Sequence, residues 1–428
     1  MEIPVRFQTY VTSRFGMFIH WGTYAAAARH EWVQHREEIT ATDYRKYMEW
    51  FRADRFKPEE WAHQAAAAGM KYVVITCKHH EGFCLWDTNY TEYKATNSPA
   101  ARDLLRELVD AFRAEGLRIG FYYSLIDWSH PDFPIDSIHP DRNRPDVEVL
   151  NSTRDVRKYQ QYMKDQVTEL LTQYGEVDVL WCDFSYPNAE HNGLKGKGKE
   201  DWDSEGLHKL IRALQPDIIL NNRLDLPPEY ADFHTPEQVM PMEPVRVNGK
   251  PVPWEACHTL SGSWGYHRDE STWKSPEQLL HLLIETVALG GNLLMNVGPT
   301  ARGTMDARAR AALKVYADWM AEHADSIYGC GPADIPAPSG CAFTCKGDRL
   351  FLHIFSWPFL HLHLPGLAKH IRYAQFLHDA SEVELHRGPF KDPLEVTDPM
   401  GDEDLLTLIL PVAKPAPLVP VVELAYST

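Results

Sequence analysis

The first three quarters of the chain alternate between short apolar runs and longer amphipathic stretches. The apolar runs are rich in β-branched and aromatic side chains, which is typical of buried strands. They lie at 16–19, 72–76, 118–123, 177–181, 218–220 and 292–296. Between them, 104–115 places leucine, valine and phenylalanine on one helical stripe, and Ser275-Pro276-Glu277-Gln278 has the pattern of a helix start. The alternation predicts an α/β protein.

Strand followed by helix at intervals of roughly 45 residues predicts a parallel sheet. About eight such units fit before residue 335, so we expect a (β/α)8-type barrel over residues 1–335. An open doubly wound sheet is the second choice. No GxGxxG follows the first apolar run and no P-loop is present, which disfavours a nucleotide-binding sheet.

The pattern changes after residue 328. A stretch rich in glycine and proline follows at 331–340, and short alternating runs then come at 349–355, 361–364, 383–386, 405–410 and 419–424. Short strands separated by turn residues predict a small C-terminal antiparallel β-sandwich over residues 336–428. His353, His361 and His363 alternate with apolar residues, as on a strand with one wet face, so we expect surface or interface histidines rather than metal ligands.

The composition disfavours some classes of binding partner. The chain has 43 basic and 60 acidic residues, a formal charge of −17, and no basic stripe. This disfavours nucleic acid and anionic membranes as partners. Residues 1–6 lack the pattern of a signal peptide, and the seven cysteines are irregularly spaced without a CxxC pair. We therefore expect a cytoplasmic protein; the sequence leaves a homo-oligomer open.

Polar residues follow most of the predicted strands, where a barrel keeps its chemistry. They are His20, His79, His80, Tyr122, Asp183 and Arg223. Many tryptophans accompany them, and aromatic faces beside hydrogen-bonding groups suit a sugar, whose ring has an apolar face and a hydroxyl rim. The strand ends therefore predict a carbohydrate pocket.

Glycoside hydrolysis needs two carboxylates, one ionised and one able to donate a proton. Asp183 is the first candidate because it ends a buried strand. Glu237 and Glu255 are both candidates for the second, and residue patterns alone leave that choice open. Two other functions also remain: a metal-dependent barrel hydrolase that uses His20, His79, His80 and Asp183, and a catalytically inactive carbohydrate-binding protein.

Several ordered motifs together resemble the α-L-fucosidases of glycoside hydrolase family 29. They are RFGMFIHWG at 14–22, KHHEGF at 78–83, LWCD at 180–183, NNR at 221–223, TPE at 235–237, SWGY at 263–266 and GGNLLMNVGP at 290–299. Glu81 stands where the family more commonly has aspartate. The likeness runs from about residue 8 to 330, over the region predicted to form the barrel.

The resemblance implies a retaining exo-α-L-fucosidase with a barrel, a C-terminal β-sandwich and no cofactor or metal. Its partner would be a fucosylated oligosaccharide or glycoconjugate, and transfer of fucose to a sugar acceptor is also implied. Asp183 falls on the nucleophile position, and the Thr-Pro-Glu segment makes Glu237 the predicted acid/base, with Glu255 as runner-up. The implied substrate-binding residues are His20, Glu31, Trp32, His79, His80, Tyr122, Trp181, Arg223, Glu255 and Trp264.

Overall fold

A computed structural model describes residues 5–391 and 398–426. The first four residues, part of the segment that lacks a signal-peptide pattern, lie outside the described residues. The α-helices are α1 Val5–Ser13, α2 Tyr24–Ala27, α3 Val33–Arg36, α4 Ala41–Tyr44, α5 Lys46–Glu49, α6 Pro58–Ala67, α7 Leu104–Ala114, α8 Val147–Asn151, α9 Val156–Gln173, α10 Lys199–Trp202, α11 Ser204–Leu214, α12 Pro276–Ala288 and α13 Ala307–His323. Short 3-10 turns lie at Ala95–Asn97, Pro140–Asn143, Pro228–Tyr230 and Ala324–Ser326.

The strands fall into an N-terminal and a C-terminal group. The N-terminal group is β1 Phe15–Ile19, β2 Tyr72–Lys78, β3 Arg118–Ser124, β4 Val179–Asp183, β5 Glu190–His191, β6 Leu194–Lys195, β7 Ile219–Leu220, β8 Arg246–Val247, β9 Lys250–Pro251, β10 Glu255–Thr259 and β11 Asn292–Val297. The C-terminal group is β12 Cys341–Lys346, β13 Arg349–Ile354, β14 His361–Pro365, β15 Ile371–Phe376, β16 Glu384–Arg387, β17 Leu405–Ile409 and β18 Val421–Tyr426.

Within residues 5–391 and 398–426, seven parallel strands form one curled sheet in the order β10-β11-β1-β2-β3-β4-β7. Neighbouring strands follow one another in chain order around the sheet, without the reversal of strand order that marks a doubly wound sheet. The predicted α/β class, with a parallel sheet followed by antiparallel sheets at the C-terminus, is confirmed. Strand β10, the strand that begins at Glu255, had no counterpart among the predicted apolar runs.

Segment 233–237 lies between the two outer strands of this sheet. Phe233 forms a parallel bridge with Asn221, just after β7, and Glu237 forms one with Cys257 in β10. The segment is too irregular to count as a strand, but its bridges reach both edges of the sheet. It carries Glu237 up to the level of the other strand ends.

The interior of the curled sheet is filled by alternate strand residues, because side chains with a spacing of two share a face. This interior cluster includes Phe18, Tyr72, Tyr122 and Trp181. Tyr10 of α1 joins it from the end of the sheet where the strands begin. Nearly every residue of the sheet is buried, since helices cover the outer face. The predicted helices at 104–115 and after Ser275 form as α7 and α12, and Ser275 and Gln278 make a capping box.

The C-terminal strands form two antiparallel sheets, β12-β13-β18-β15 and β14-β17-β16, around a separate apolar core. They are attached to the first region through α12 and α13. The Trp319 indole of α13 donates to the carbonyl of Val419 at 2.9 Å. His353 is fully buried and bonded to Thr344 at 2.9 Å, while His361 and His363 are half-exposed. No helix among the described residues is long and apolar enough to cross a membrane.

Candidate active site

One small cavity opens at the carboxyl ends of the parallel strands. It is lined by Phe18, His20, Trp32, His79, His80, Tyr122, Trp181, Asp183, Phe184, Glu237, Cys257 and Trp264. The cavity volume is about 80 Å³. Most of the polar residues expected from the sequence are thus brought together. Their convergence follows from parallel strands ending at one edge of the sheet.

Asp183 is the last residue of β4 and lies in the cavity wall. Its Oδ2 accepts a hydrogen bond from the Tyr122 hydroxyl at 2.7 Å, and its Oδ1 accepts one from the Arg223 guanidinium at 3.0 Å. The Asn221 side chain holds the strand end by bonding both the N–H and the carbonyl of Cys182, at 3.0 and 2.9 Å. The carboxylate is therefore fixed through both oxygens and through its backbone.

Arg223 links the two candidate carboxylates. Its Nη2 donates to Glu237 Oε2 at 2.8 Å while its Nη1 donates to Asp183. Its Nε donates to the Thr235 hydroxyl at 2.8 Å, and the guanidinium lies 4.8 Å from the centre of the Trp181 ring. Glu237 has 39% of its side chain exposed, whereas Asp183 has 11%. One carboxylate is buried against the cavity floor and the other meets solvent at the mouth.

The pKa of the Asp183 carboxyl is raised to about 6, chiefly by burial and further by the charge of Glu237. Arg223 and the Tyr122 hydroxyl act in the opposite direction and favour the ionised form. The carboxylate is therefore ionised at neutral pH, although ionisation is less favourable there than in water.

His20 and His80 are held as neutral rings with a defined tautomer. Asn296 donates its Nδ2 hydrogen to the Trp264 carbonyl at 2.6 Å, so its Oδ1 accepts from His20 Nδ1 at 2.6 Å. Ser124 donates to the Ile126 carbonyl, so its oxygen accepts from His80 Nδ1 at 2.7 Å. Each Nε2 is left as an acceptor. Burial lowers the pKa of His20 to about 4 and that of His80 well below its usual value.

His79 lies between these rings, stacked on Tyr122 with 5.6 Å between ring centres. Its Nδ1 is 3.7 Å from Oε2 of Glu81, which is buried behind it. Burial raises the pKa of the Glu81 carboxyl to about 8, so this group is protonated at neutral pH. Burial also lowers the pKa of His79 well below its usual value. The three histidines are thus uncharged polar groups.

Trp32 and Trp264 are cavity walls, and Glu31 supports the loop that carries Trp264. Oε2 of Glu31 accepts from the backbone N–H groups of Trp264 and Gly265 at 3.1 and 2.9 Å. The Trp264 ring lies 5.1 Å from the His20 ring, and Trp32 meets His80 edge to face at 5.0 Å. Glu31 is fully buried and is not among the residues that line the cavity; it holds the loop that carries Trp264.

Glu255 lies beneath the cavity rather than in it. It is the first residue of β10, is fully buried, and accepts three hydrogen bonds from Tyr10, Tyr72 and the Trp181 indole. Glu255 does not line the cavity, and both of its oxygens accept hydrogen bonds from these three side chains. The geometry therefore separates Glu255 from Glu237, which the sequence could not do.

Phe18, Phe184 and Cys257 line the cavity but were not among the residues expected from the sequence. Phe18 precedes His20 by two positions and so shares its face of the strand, which was a usable signal. Phe184 directly follows Asp183. Among the described residues, no group of three or more His, Cys, Asp or Glu side chains could hold a metal ion.

Comparison with known proteins agrees with this site. The sequence model of the alpha-L-fucosidase family matches residues 4–325. Plasma alpha-L-fucosidase of Homo sapiens is 30% identical over 351 residues, which cover 74% of this chain and 68% of that protein. Alpha-L-fucosidase isoenzyme 1 from Paenibacillus thiaminolyticus superposes with a TM-score of 0.91 at 43% identity over 99% of both chains.

A third relative carries mechanistic information. It is the GH29 alpha-L-fucosidase of Bacteroides thetaiotaomicron, solved as a trapped covalent intermediate with 2-fluoro-fucosyl fluoride in a glutamate-to-glutamine mutant. Its TM-score is 0.83 at 25% identity, over 99% of this chain and 96% of that one. The fold and site define a glycoside hydrolase, and the chain belongs to the alpha-L-fucosidase family, GH29.

The raised pKa of Asp183 predicts that this carboxylate destabilises the fold. The effect is absent below about pH 3.8, grows up to about pH 6 and is constant above, because the unfolded chain loses this proton first. Two pKa units correspond to about 3 kcal/mol. We expect Asp183→Asn to raise the melting temperature at pH 8, with a smaller gain at pH 4.

Thermal unfolding of both chains across this pH range measures the effect. Asp217→Asn is the matched control, because Asp217 is exposed at a turn before β7. An Asp183→Asn chain that is less stable than the parent at pH 8 would contradict the electrostatic cost inferred for this site.

Proposed function

We propose that this protein is a retaining exo-α-L-fucosidase in which Asp183 is the nucleophile and Glu237 the general acid/base. The observation that carries the proposal is the Arg223 guanidinium, which bonds both carboxylates and keeps them side by side in one cavity. A trapped covalent intermediate in a GH29 relative supports the double displacement. The small cavity suits one terminal sugar rather than the interior of a polysaccharide.

In the first step, a carboxylate oxygen of Asp183 attacks the anomeric carbon of fucose. The glycosidic bond breaks, and the leaving oxygen takes a proton from the Glu237 carboxyl. Glu237 suits this role because it is the more exposed of the pair and lies at the mouth, where the aglycone leaves. Tyr122 and Arg223 keep Asp183 ionised and oriented until it attacks.

In the second step, Glu237 takes a proton from water, and the water oxygen attacks the anomeric carbon of the fucosyl ester. The bond to Asp183 breaks, so the product keeps the configuration of the substrate. A sugar hydroxyl can replace the water, and this would transfer fucose to an acceptor. The partner is a fucosylated oligosaccharide or glycoconjugate.

The neutral histidines and the aromatic walls bind the sugar. His20 and His80 offer Nε2 acceptors to sugar hydroxyls, since their Nδ1 hydrogens are already used. Trp181 and Trp264 supply flat apolar faces, and His79, Trp32 and Tyr122 complete the wall. A hydrogen bond between neutral groups contributes about 0.5–1.5 kcal/mol of binding free energy, so specificity for the sugar comes from several such bonds acting together.

The wider organisation follows the same reasoning. We infer that segment 233–237 takes the position of the eighth strand of a (β/α)8-type barrel, because its bridges reach both edges of the sheet. The catalytic unit would span residues 1–335 and a β-sandwich residues 336–428. All seven cysteines are free thiols, which supports a reducing, cytoplasmic setting.

The decisive test is Asp183→Asn. We expect this chain to fold but to lose several orders of magnitude in turnover of an aryl α-L-fucoside and to form no fucosyl-enzyme, because an amide is a poor nucleophile. Azide should partly restore turnover and give the fucosyl azide of opposite configuration. Near-normal hydrolysis would overturn the nucleophile assignment.

The same assay separates the metal-dependent alternative. Full activity of the parent chain after exhaustive dialysis against EDTA is expected, since the proposed chemistry uses carboxylates and neutral histidines. Stoichiometric zinc that is lost together with activity would favour a metal-dependent hydrolase. A parent chain that binds fucose without hydrolysing any aryl fucoside would favour the inactive carbohydrate-binding alternative.

Glu237→Ala tests the acid/base role. Substrates with poor leaving groups need the proton most, so their kcat/KM should fall far more than that of activated aryl fucosides. Glu243→Ala is the matched control, because Glu243 is exposed on the loop that follows Glu237. Equal losses for both classes of substrate would remove Glu237 from the acid/base role.

The pH profile tests the electrostatics of the pair. Asp183 attacks only when ionised, so kcat/KM for an activated aryl fucoside should fall below about pH 6. Tyr122→Phe removes a hydrogen bond that lowers the pKa of Asp183 and should move this acid limb to higher pH. Glu237→Gln removes a neighbouring negative charge and should move it lower. Shifts opposite to these would contradict the assignment.

A further inference from the structure

We propose that Glu255 is a positioning residue that aligns the nucleophile from beneath the cavity, and that the N-terminal helix α1 completes its binding site. The inference rests on the proposed function of Asp183, and it gives Glu255 a role other than the acid/base or direct contact with sugar. We call Glu255, Tyr10, Tyr72 and Trp181 the carboxylate hub.

The hub is a buried carboxylate surrounded by neutral donors. Glu255 Oε2 accepts from the hydroxyls of Tyr10 at 2.6 Å and Tyr72 at 2.5 Å, and Oε1 accepts from the Trp181 indole at 3.0 Å. Burying a carboxylate is unfavourable unless hydrogen bonds compensate. Tyr10, Tyr72 and Trp181 therefore adopt fixed positions around it, and the hub is a rigid support rather than a chemical site.

Trp181 transmits this rigidity to the cavity. It precedes Asp183 by two positions on β4, so both side chains point to the same face. The guanidinium of Arg223 lies 4.8 Å above the indole, and the Tyr122 ring is stacked on it with 6.0 Å between ring centres. Arg223 and Tyr122 are the two side chains that bond Asp183. The indole therefore helps to position both of them.

Helix α1 supplies one of the three donors. Tyr10 lies near its C-terminal end, packs against Tyr72 and Phe233 with 5.3 Å between ring centres, and accepts a bond from Asn292 through its carbonyl at 2.8 Å. These partners lie at or beside the starts of strands, at the end of the sheet opposite the cavity. The chain order thus links its first helix to the nucleophile through Tyr10, Glu255 and Trp181.

Tyr10→Phe and Tyr72→Phe test the proposal, because each removes a single hydroxyl and leaves the ring in place. Tyr316→Phe is the matched control: its hydroxyl is also buried and donates to the Leu279 carbonyl at 2.9 Å, away from the hub. We expect the hub variants to lower kcat for an aryl fucoside by about threefold to tenfold, because the nucleophile is then aligned less precisely. Tyr316→Phe should reduce thermal stability similarly without changing kcat.

The pH at which kcat/KM falls on the acid side distinguishes a positioning role from a purely structural one, because a loss of stability alone would not shift it. If the indole shifts, Arg223 and Tyr122 hold Asp183 less well, and the limb moves to higher pH, as expected for Tyr122→Phe. Neither hub substitution removes a group that is charged at neutral pH, because burial raises the pKa values of both Tyr10 and Tyr72. Hub variants whose kcat and acid limb match those of Tyr316→Phe would overturn the proposal.

A crystal structure of the Tyr10→Phe chain tests the same idea without turnover. The indole of Trp181 and the guanidinium of Arg223 should be displaced from their positions in the parent. An unchanged Trp181 and Arg223 would overturn the inference even if the parent is an active fucosidase. If the parent is inactive but the Trp181 indole is displaced in the Tyr10→Phe chain, the proposed function is overturned, whereas the structural role of the carboxylate hub is supported.

Discussion

The Arg223 guanidinium is the interaction on which the arrangement of the site depends. It is planar and always charged, so it can bond two carboxylates in fixed relative positions. Asp183 and Glu237 come from different parts of the sheet: one ends β4, and the other lies on an irregular segment that joins the sheet through isolated bridges and side-chain hydrogen bonds. Without a shared cation, two nearby carboxylates would repel each other, and the less rigid segment would yield first.

The two carboxylates that share this cation differ in burial. Asp183 is buried, and burial raises its pKa, whereas Glu237 keeps more than a third of its side chain in solvent. A double displacement requires two carboxyl groups, since one must attack and the other must exchange protons. The stacking of the guanidinium on Trp181 ties this electrostatic arrangement to the apolar floor of the cavity.

Sequence patterns predicted the elements that repeat regularly and the residues at the ends of long apolar strands. Asp183, His20 and Tyr122 could be placed because each follows a run of buried residues, and parallel strands end together. Glu255 could not be placed. Glu255 begins its strand, so it lies beneath the cavity, whereas Asp183 ends its strand and lies in the cavity wall. Strand β10 reads Glu-Ala-Cys-His-Thr, which lacks the apolar run that would have revealed its start.

The region beyond the parallel sheet contributes to the site through the elements that it packs against. Strand β12 lies on α12, and Trp319 of α13 bonds the chain just before β18. Helix α12 leads into β11, which carries Asn296, and Asn296 fixes the tautomer of His20. A shift of β11 along the sheet would break the hydrogen bond that keeps the proton on His20 Nδ1. The antiparallel sheets therefore stabilise, through α12 and β11, the hydrogen-bonding character of a ring that they do not touch.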